Sequence, residues 1–410
     1  MLARRRLSFE VPMELTRRSL ITTALAAPQL RAAATPNWDL IRKEFPLKDG
    51  LLYMNAANIA PAPSSVWRQY LQTLGDFQAD PSFQNREQYK TLAETVRARA
   101  ARYLKTDAEE IAILRNTSEG NNLIAQGLRL KPGDEVLITA HNHPSNSDSW
   151  KLRTRQSGAV LVTAPVPIGA RSPSELFDSL AQRVTPKTRV IAVSHFTNVT
   201  GLMYPVHGLA ELARRHNAWL HVDGAQTFGW MNLDLHALGM DSFTGSMHKW
   251  PMGPLESGIL YLKRERLEQV SPSILSHGYW TDDGKGIRRF ELLGQRDDPR
   301  LKAMERTFDF LETLGPAAIE ARARFLADRL RKALGNLPGA EVRGSGDPAL
   351  TGPVIKVNFP GKDLKALHDR LWARLALAVA LTPAGEASGI RFSPHIYNTP
   401  KEIETIAAAL

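Results

Sequence analysis

The sequence predicts an α/β protein built on a mostly parallel β-sheet, followed by a smaller α+β domain. Three observations carry this. After residue 35, short apolar runs alternate with longer amphipathic stretches, the pattern of strands and the helices that cover them. The 410 residues exceed one compact core and suit two domains. From about residue 298 the texture changes to long helices rich in Arg, Glu and Leu.

Taken in order, residues 51–54 read as a strand, and 64–77 and 86–104 as helices. In the second helix Leu92, Val96, Ala100 and Leu104 recur at helical spacing. Residues 111–114, 135–139, 159–163, 190–193, 219–222 and 258–262 are strand-like, with helices over 174–181 and 206–215 between them. Helices over 299–314 and 317–334 then lead to a Gly- and Pro-rich turn at 335–346. A strand at 354–358, a helix at 364–376 and a strand at 390–392 follow. The division is an arm at 35–60, a large domain at 61–297 and a small domain at 298–410. Ligands of such sheets sit beyond the carboxyl ends of the strands, so the residues just after strands carry the search.

Apolar residues make up 43% and charged residues 23%, a balance that fits a soluble globular enzyme. The formal charge is +10, of which residues 1–34 hold +4 through six arginines set against Glu10 and Glu14. The remaining +6 is spread without a dense basic block, so no nucleic-acid partner is expected. The chain has no cysteine, which excludes disulfides, Cys-ligated metals and thiol nucleophiles, and no metal site is expected.

Thr16-Arg17-Arg18-Ser19-Leu20-Ile21, the apolar run 22–27 and Ala32-Ala33-Ala34 stand in the order of an export signal. They resemble a twin-arginine signal, which implies a periplasmic protein. A basic tail without an address, and so a cytoplasmic protein, is the alternative. Met13 makes residues 1–12 a candidate mis-assigned start.

The chemistry gathers at two places. His221-Val222-Asp223-Gly224-Ala225-Gln226 is an apolar strand that ends in a carboxylate. Ser246-Met247-His248-Lys249-Trp250 lies a strand and a short helix later, with Lys249 26 residues beyond Asp223. Alone, such an Asp is more often a cap and such a Lys a surface charge. Together they make the pair that pyridoxal 5′-phosphate needs: an amine for its aldehyde, and a carboxylate to keep its ring nitrogen protonated.

These segments resemble the two signatures of the class V aminotransferases, pyridoxal-phosphate enzymes of fold type I, and the likeness runs from about Tyr53 to Asn398. The resemblance implies that fold, with a mostly parallel sheet of the seven-stranded type, and a homodimer. It places Thr117 and Ser118 of Asn116-Thr117-Ser118-Glu119-Gly120 at the phosphate with Ser246 and His248, where a helix start offers free N–H groups. Asn198 and Gln226 are implied at the ring hydroxyl oxygen. His143 of His141-Asn142-His143-Pro144, seven residues before Trp150, is implied to stack on the ring and take part in catalysis, with His141 as its competitor. Arg391 in Gly389-Ile390-Arg391-Phe392 is implied to grip the substrate carboxylate, together with Asn55 of Tyr53-Met54-Asn55-Ala56-Ala57. One departure stands out. Where isopenicillin N epimerase-like members carry Gly-Thr-Arg-Asp and touch the neighbouring subunit's phosphate, this chain has Gly294-Gln295-Arg296-Asp297.

Overall texture is nearest the isopenicillin N epimerase-like proteins. The implied function is chemistry at the α-carbon or side chain of an amino acid or peptide-derived amine, with Lys249 as the base. Transamination, epimerisation, β- or γ-elimination and oxidative tailoring stay open, with tailoring of a periplasmic metabolite as the first specific reading and an amino acid:2-oxo acid aminotransferase as the second. A non-catalytic protein that holds the cofactor or a metabolite is the reading from another class. Desulfuration through an enzyme persulfide needs a cysteine, so the chain is expected not to be a cysteine desulfurase of that kind.

Overall fold

The apolar runs pair into one large sheet. The computed structural model describes residues 36–281, 284–385 and 387–410; the arginine-rich leader read at 1–34 lies outside them. A short strand β1 (Leu52–Tyr53) comes first. The large sheet then takes β2 (Ile111–Leu114), β3 (Glu135–Thr139), β4 (Val160–Ala164), β5 (Thr188–Ser194), β6 (Trp219–Asp223), β7 (Ser242–Ser246) and β8 (Gly258–Leu262). Their spatial order is β2-β8-β7-β6-β5-β3-β4. Every neighbouring pair is parallel except the two made by β8, which runs antiparallel to β2 and β7.

Alternate residues of these strands enter two separate apolar clusters. Ile113, Leu137, Ile191, Leu220 and Val222 join one, and Leu114, Val136, Val190, Ala192 and Leu260 the other. Both faces are therefore buried, which is why the strands read as nearly continuous apolar runs. Helices Thr117–Gly127, Pro144–Ser157, Pro173–Ala181 and Val206–Arg215 each follow a strand and cover the sheet.

The C-terminal part builds a second sheet from β9 (Glu341–Arg343), β10 (Ile355–Asn358), β12 (Ala380–Thr382) and β13 (Gly389–Phe392), while β11 (Leu377–Ala378) pairs with β1. The four strands are antiparallel in the order β12-β13-β10-β9. Ile355, Val357, Ile390 and Phe392 pack with Leu326, Leu330 and Leu334 of helix Pro316–Gly335 and with Ile403 and Ile406 of helix Pro400–Ala409. The N-terminal arm is sewn onto this sheet. Met54 donates to Ala378, its carbonyl accepts from Ser393, and Ala56 donates back to Ser393.

Several elements differ from the sequence reading. The helix expected at 86–104 is broken, because Tyr89 turns inward against Phe77 and the regular helix starts only at Leu92. Polar composition hid helix Pro144–Ser157, and β9 lies inside what reads as a turn. A buried ionic knot fixes the loop before helix Asp298–Leu314. Glu291 accepts from Arg97, from Arg296 at 2.8 Å and from the Ile113 N–H at 2.8 Å. Arg97 is 1% exposed, so removing its main counter-charge leaves a guanidinium stranded in the core. Glu291→Ala is expected to cost about 3–5 kcal/mol in urea unfolding; a loss below about 0.5 kcal/mol would refute this account.

Candidate active site

Asp223 closes β6 and is 3% exposed, so its carboxylate must be met by donors within the protein. Oδ1 accepts from the Ala225 N–H at 3.0 Å, and Oδ2 accepts from Asn121 Nδ2 at 3.0 Å. Asn121 is the first link of a longer chain. Its Oδ1 lies 2.9 Å from His221 Nε2, His221 Nδ1 lies 2.8 Å from Ser242 Oγ, and Ser242 Oγ accepts from Trp219 Nε1 at 2.8 Å. All five side chains are buried.

Donor and acceptor capacity sets the direction of this chain. Indole N–H can only donate and a carboxylate can only accept. Asn121 must therefore turn its amide nitrogen to Asp223 and its oxygen to His221, which makes Nε2 the protonated nitrogen of that ring. Ser242 then donates to Nδ1. Burial agrees, pushing the His221 pKa down to about 3, so the ring is neutral. Four aligned hydrogen bonds point their positive ends at Asp223.

Lys249 follows β7, the neighbour of β6, by three residues. Its backbone surroundings are pinned on every side. The His248 carbonyl accepts from Ala60 at 2.8 Å, the Trp250 carbonyl accepts from His395 Nε2 at 2.7 Å, and the Lys249 carbonyl accepts from Met252 at 3.0 Å. Its amine makes no hydrogen bond among the described residues. Burial draws the Lys249 pKa below the usual lysine value, the Asp223 carboxylate opposes this, and the Arg391 cation assists it. Amine, carboxylate and guanidinium thus share one electrostatic site.

At the other end, helix Thr117–Gly127 begins against the end of β7. Asn116 caps it by accepting from Glu119, and the Thr117 N–H donates to Ser246 Oγ at 2.8 Å. A Cβ at Gly120 would stand 2.1 Å from Thr244 Oγ1, so only glycine lets this helix lie so close to β7. Ser118 is exposed on the first turn. His248 Nδ1 is buried without a partner, and its ring is held neutral, near pKa 4, by burial and by Lys249.

The remaining expected residues fall as follows. His143 caps helix Pro144–Ser157 through Nδ1, which accepts from the Ser145 N–H at 3.2 Å. Burial, Lys249 and Arg391 lower its pKa against the pull of Asp223, so it lies in the same field. His141 is buried with Nδ1 3.3 Å from Thr200 Oγ1. Gln226 is heavily engaged: Nε2 donates to the Ala57 carbonyl at 2.9 Å, and Oε1 accepts from Trp250 Nε1 at 2.8 Å. One amide N–H is left for a ligand. Arg391 donates to Asn55 Oδ1 at 3.1 Å and to the Asn198 carbonyl at 3.3 Å, which brings three expected residues together. Gln295 instead accepts from Arg86 of its own chain at 2.9 Å.

The donor set fits pyridoxal phosphate. There is a carboxylate for the ring nitrogen, an amine without a hydrogen bond, and a helix start beside an orphaned His248 nitrogen for the phosphate. Sequence reasoning did not find Asn121, Ser242, Trp250 or His395. The available signal was His221 itself, a polar residue in a strand buried on both faces, which needs partners on either side.

The class-V aminotransferase profile matches residues 52–406. The chain is 29% identical over 391 residues to the isopenicillin N epimerase of Streptomyces clavuligerus, covering 92% of this chain and 98% of that one. It is 26% identical over 395 residues to a probable cysteine desulfurase of Methanothermobacter thermautotrophicus, covering 90% and 96%. The solved cysteine desulfurase CsdA of Escherichia coli matches with a TM-score of 0.80 at 25% identity, over 91% and 97%. These likenesses overturn the expectation that lack of cysteine sets the chain apart from the desulfurases. Identity and fold are shared along nearly the whole length, and a missing thiol is a single-residue property that does not divide such kin. A profile that runs from the N-terminal arm to the last helix shows that this chain belongs to the class V aminotransferases, a fold-type I family whose cofactor is pyridoxal 5′-phosphate.

Proposed function

We propose that the chain is a pyridoxal-phosphate enzyme acting at the α-carbon or side chain of an amino acid or peptide-derived amine. The observation that carries this is the convergence of Asp223, Lys249 and Arg391 in one electrostatic site. When bound, the cofactor supplies a protonated heteroaromatic ring that draws electrons from the substrate's α-carbon. Asp223 would hold the ring proton, steadied by Asn121 and the Ala225 N–H. Thr117, Ser118, Ser246 and His248 would hold the phosphate, and His143 would lie on the ring face. Asn198 and the spare Gln226 N–H would serve the ring hydroxyl. Arg391, set by Asn55 and the Asn198 carbonyl, would orient a substrate carboxylate. Lys249, its pKa lowered by burial, is suited to take and return a proton. The twin-arginine-like leader supports work on a periplasmic metabolite, and the family likeness supports a homodimer.

The purified protein is expected to show the cofactor's visible absorption, and borohydride should fix the cofactor to the peptide containing Lys249. Lys249→Ala should lose that fixed adduct; an unchanged adduct sinks the assignment. Incubation with amino acids, cystine and small peptides, read by mass spectrometry and sulfide release, would then identify the reaction. Binding without any product would favour an inert scaffold.

Asn121→Leu deletes a hydrogen bond to a buried carboxylate, worth about 1.5–3 kcal/mol. Cofactor affinity, followed by fluorescence titration, is expected to fall about tenfold or more. Unchanged affinity would mean that Asn121 serves packing alone.

In cofactor-free protein the Lys249 amine should react with an acylating reagent at pH 8 faster than ordinary lysines. Arg391→Met removes a nearby positive charge, so it should raise the Lys249 pKa and slow that reaction. Acceleration would mean that the sign of the coupling is wrong.

A further inference from the structure

The face of the four-stranded sheet turned away from its helices carries a row of cations. Lys356 on β10 stands in register with Arg391 on β13, and Arg343 on β9 stands in register with Lys356. Opposite residues of antiparallel strands share a face. On β12 the residue in line with Arg391 is only Ala380.

Lys356 does not run out to solvent. Its side chain crosses β13 over Gly389, where an added Cβ would stand 3.1 Å from Lys356 Cδ, and its ammonium donates to Thr382 Oγ1 on β12. Gly389 has φ +145° and would also crowd the Val357 carbonyl at 2.6 Å, so this crossing point is reserved for glycine. The ammonium therefore stays on the face that carries Arg391, one residue pair along the strands at Gly389 and Thr382.

Lys356 is 2% exposed, and its three donors meet one hydroxyl. Arg391 gives its two hydrogen bonds to neutral oxygens and keeps a buried Nε without a partner. Among the described residues neither cation pairs with a carboxylate. Burial and the neighbouring Arg391 pull the Lys356 pKa down to about 8. A buried cation without counter-charge is costly, and two side by side repel. Arg97, buried as deeply, is by contrast given the carboxylate of Glu291.

We infer that Lys356 and Arg391 form a two-cation subsite for a substrate that carries two acidic groups, one for each cation. This rests on the reading of Arg391 as the carboxylate grip. It narrows the substrate class to acidic amino acids or amines with a second carboxylate.

The test is calorimetric titration of the holoenzyme with inert dicarboxylates, malonate through adipate, and with the matching monocarboxylates. At least one dicarboxylate is expected to bind tenfold or more tightly than its partner acid. Lys356→Met should cut that ratio below threefold, and Lys356→Arg should keep it. Should the Met variant fail to fold by circular dichroism, Lys356→Gln carries the same comparison. A wild-type ratio near one, or a ratio unmoved by loss of the Lys356 charge, overturns the subsite. Cofactor absorption read in the same samples separates the two levels. A missing band in wild type refutes the cofactor reading, whereas a present band with no preference refutes Lys356 alone.

Discussion

A carboxylate sealed at the end of β6 must be given its hydrogen bonds by the fold, and much of the site follows from how this is done. The donors come from three elements. His221 and Asp223 belong to β6, Ser242 belongs to β7 in register with His221, and Asn121 rises from helix Thr117–Gly127. Satisfying Asp223 therefore fixes the β6–β7 register and the depth of that helix together. The same seating, permitted by Gly120, brings the helix start onto Ser246. The nitrogen end and the phosphate end of the proposed cofactor site are thus positioned by one packing arrangement.

Lys249 depends on this frame from the other side. Its chain leaves β7 and is tied at once to the arm through Ala60 and to the C-terminal segment through His395. Trp250 then reaches Gln226, and Gln226 reaches Ala57. Residues far apart in sequence are clamped around one amine, so its placement is a property of the whole chain and not of the local motif. Such support by neighbours with locked side chains is what a precise site needs.

How much of this was legible follows from what sequence patterns can encode. The apolar runs Ile111–Leu114, Glu135–Thr139 and Gly258–Leu262 were read at their observed bounds because burial on both faces writes itself as composition. Strand β7, Ser242–Ser246, carries Ser, Thr and Gly instead, and only the spacing between Asp223 and Lys249 announced it. Asp223, Lys249 and Arg391 were singled out through motif. Asn121 was not, since an Asn on a helix has no signature until the fold sets it opposite an Asp. Lys356 was invisible for a like reason: a lysine in a short strand reads as surface, and its burial depends on Gly389 more than thirty residues later. The cysteine count was used to exclude a desulfurase working through an enzyme persulfide, and the desulfurase relatives count against that exclusion. Kinship is carried by a match over nearly the whole chain, which one residue type does not decide.

Buried charge is treated in two ways around the site and its supporting loop. In the loop before helix Asp298–Leu314 the anion is built in: Arg97 has Glu291 and Glu94, and Arg296 returns to Glu291. Those charges are balanced within the protein. Lys249, Arg391 and Lys356 are treated otherwise. Lys356 is buried and the other two half-buried, none has a carboxylate within ion-pair distance among the described residues, and two are electrostatically linked to Arg391 itself. Repulsion among them is a standing cost in the free protein, and an anionic molecule is what relieves it. The cost persists because closing it internally would fill the place where that molecule binds. Unpaired positive charge around Arg391 is thus the feature that the proposed acidic substrate would answer.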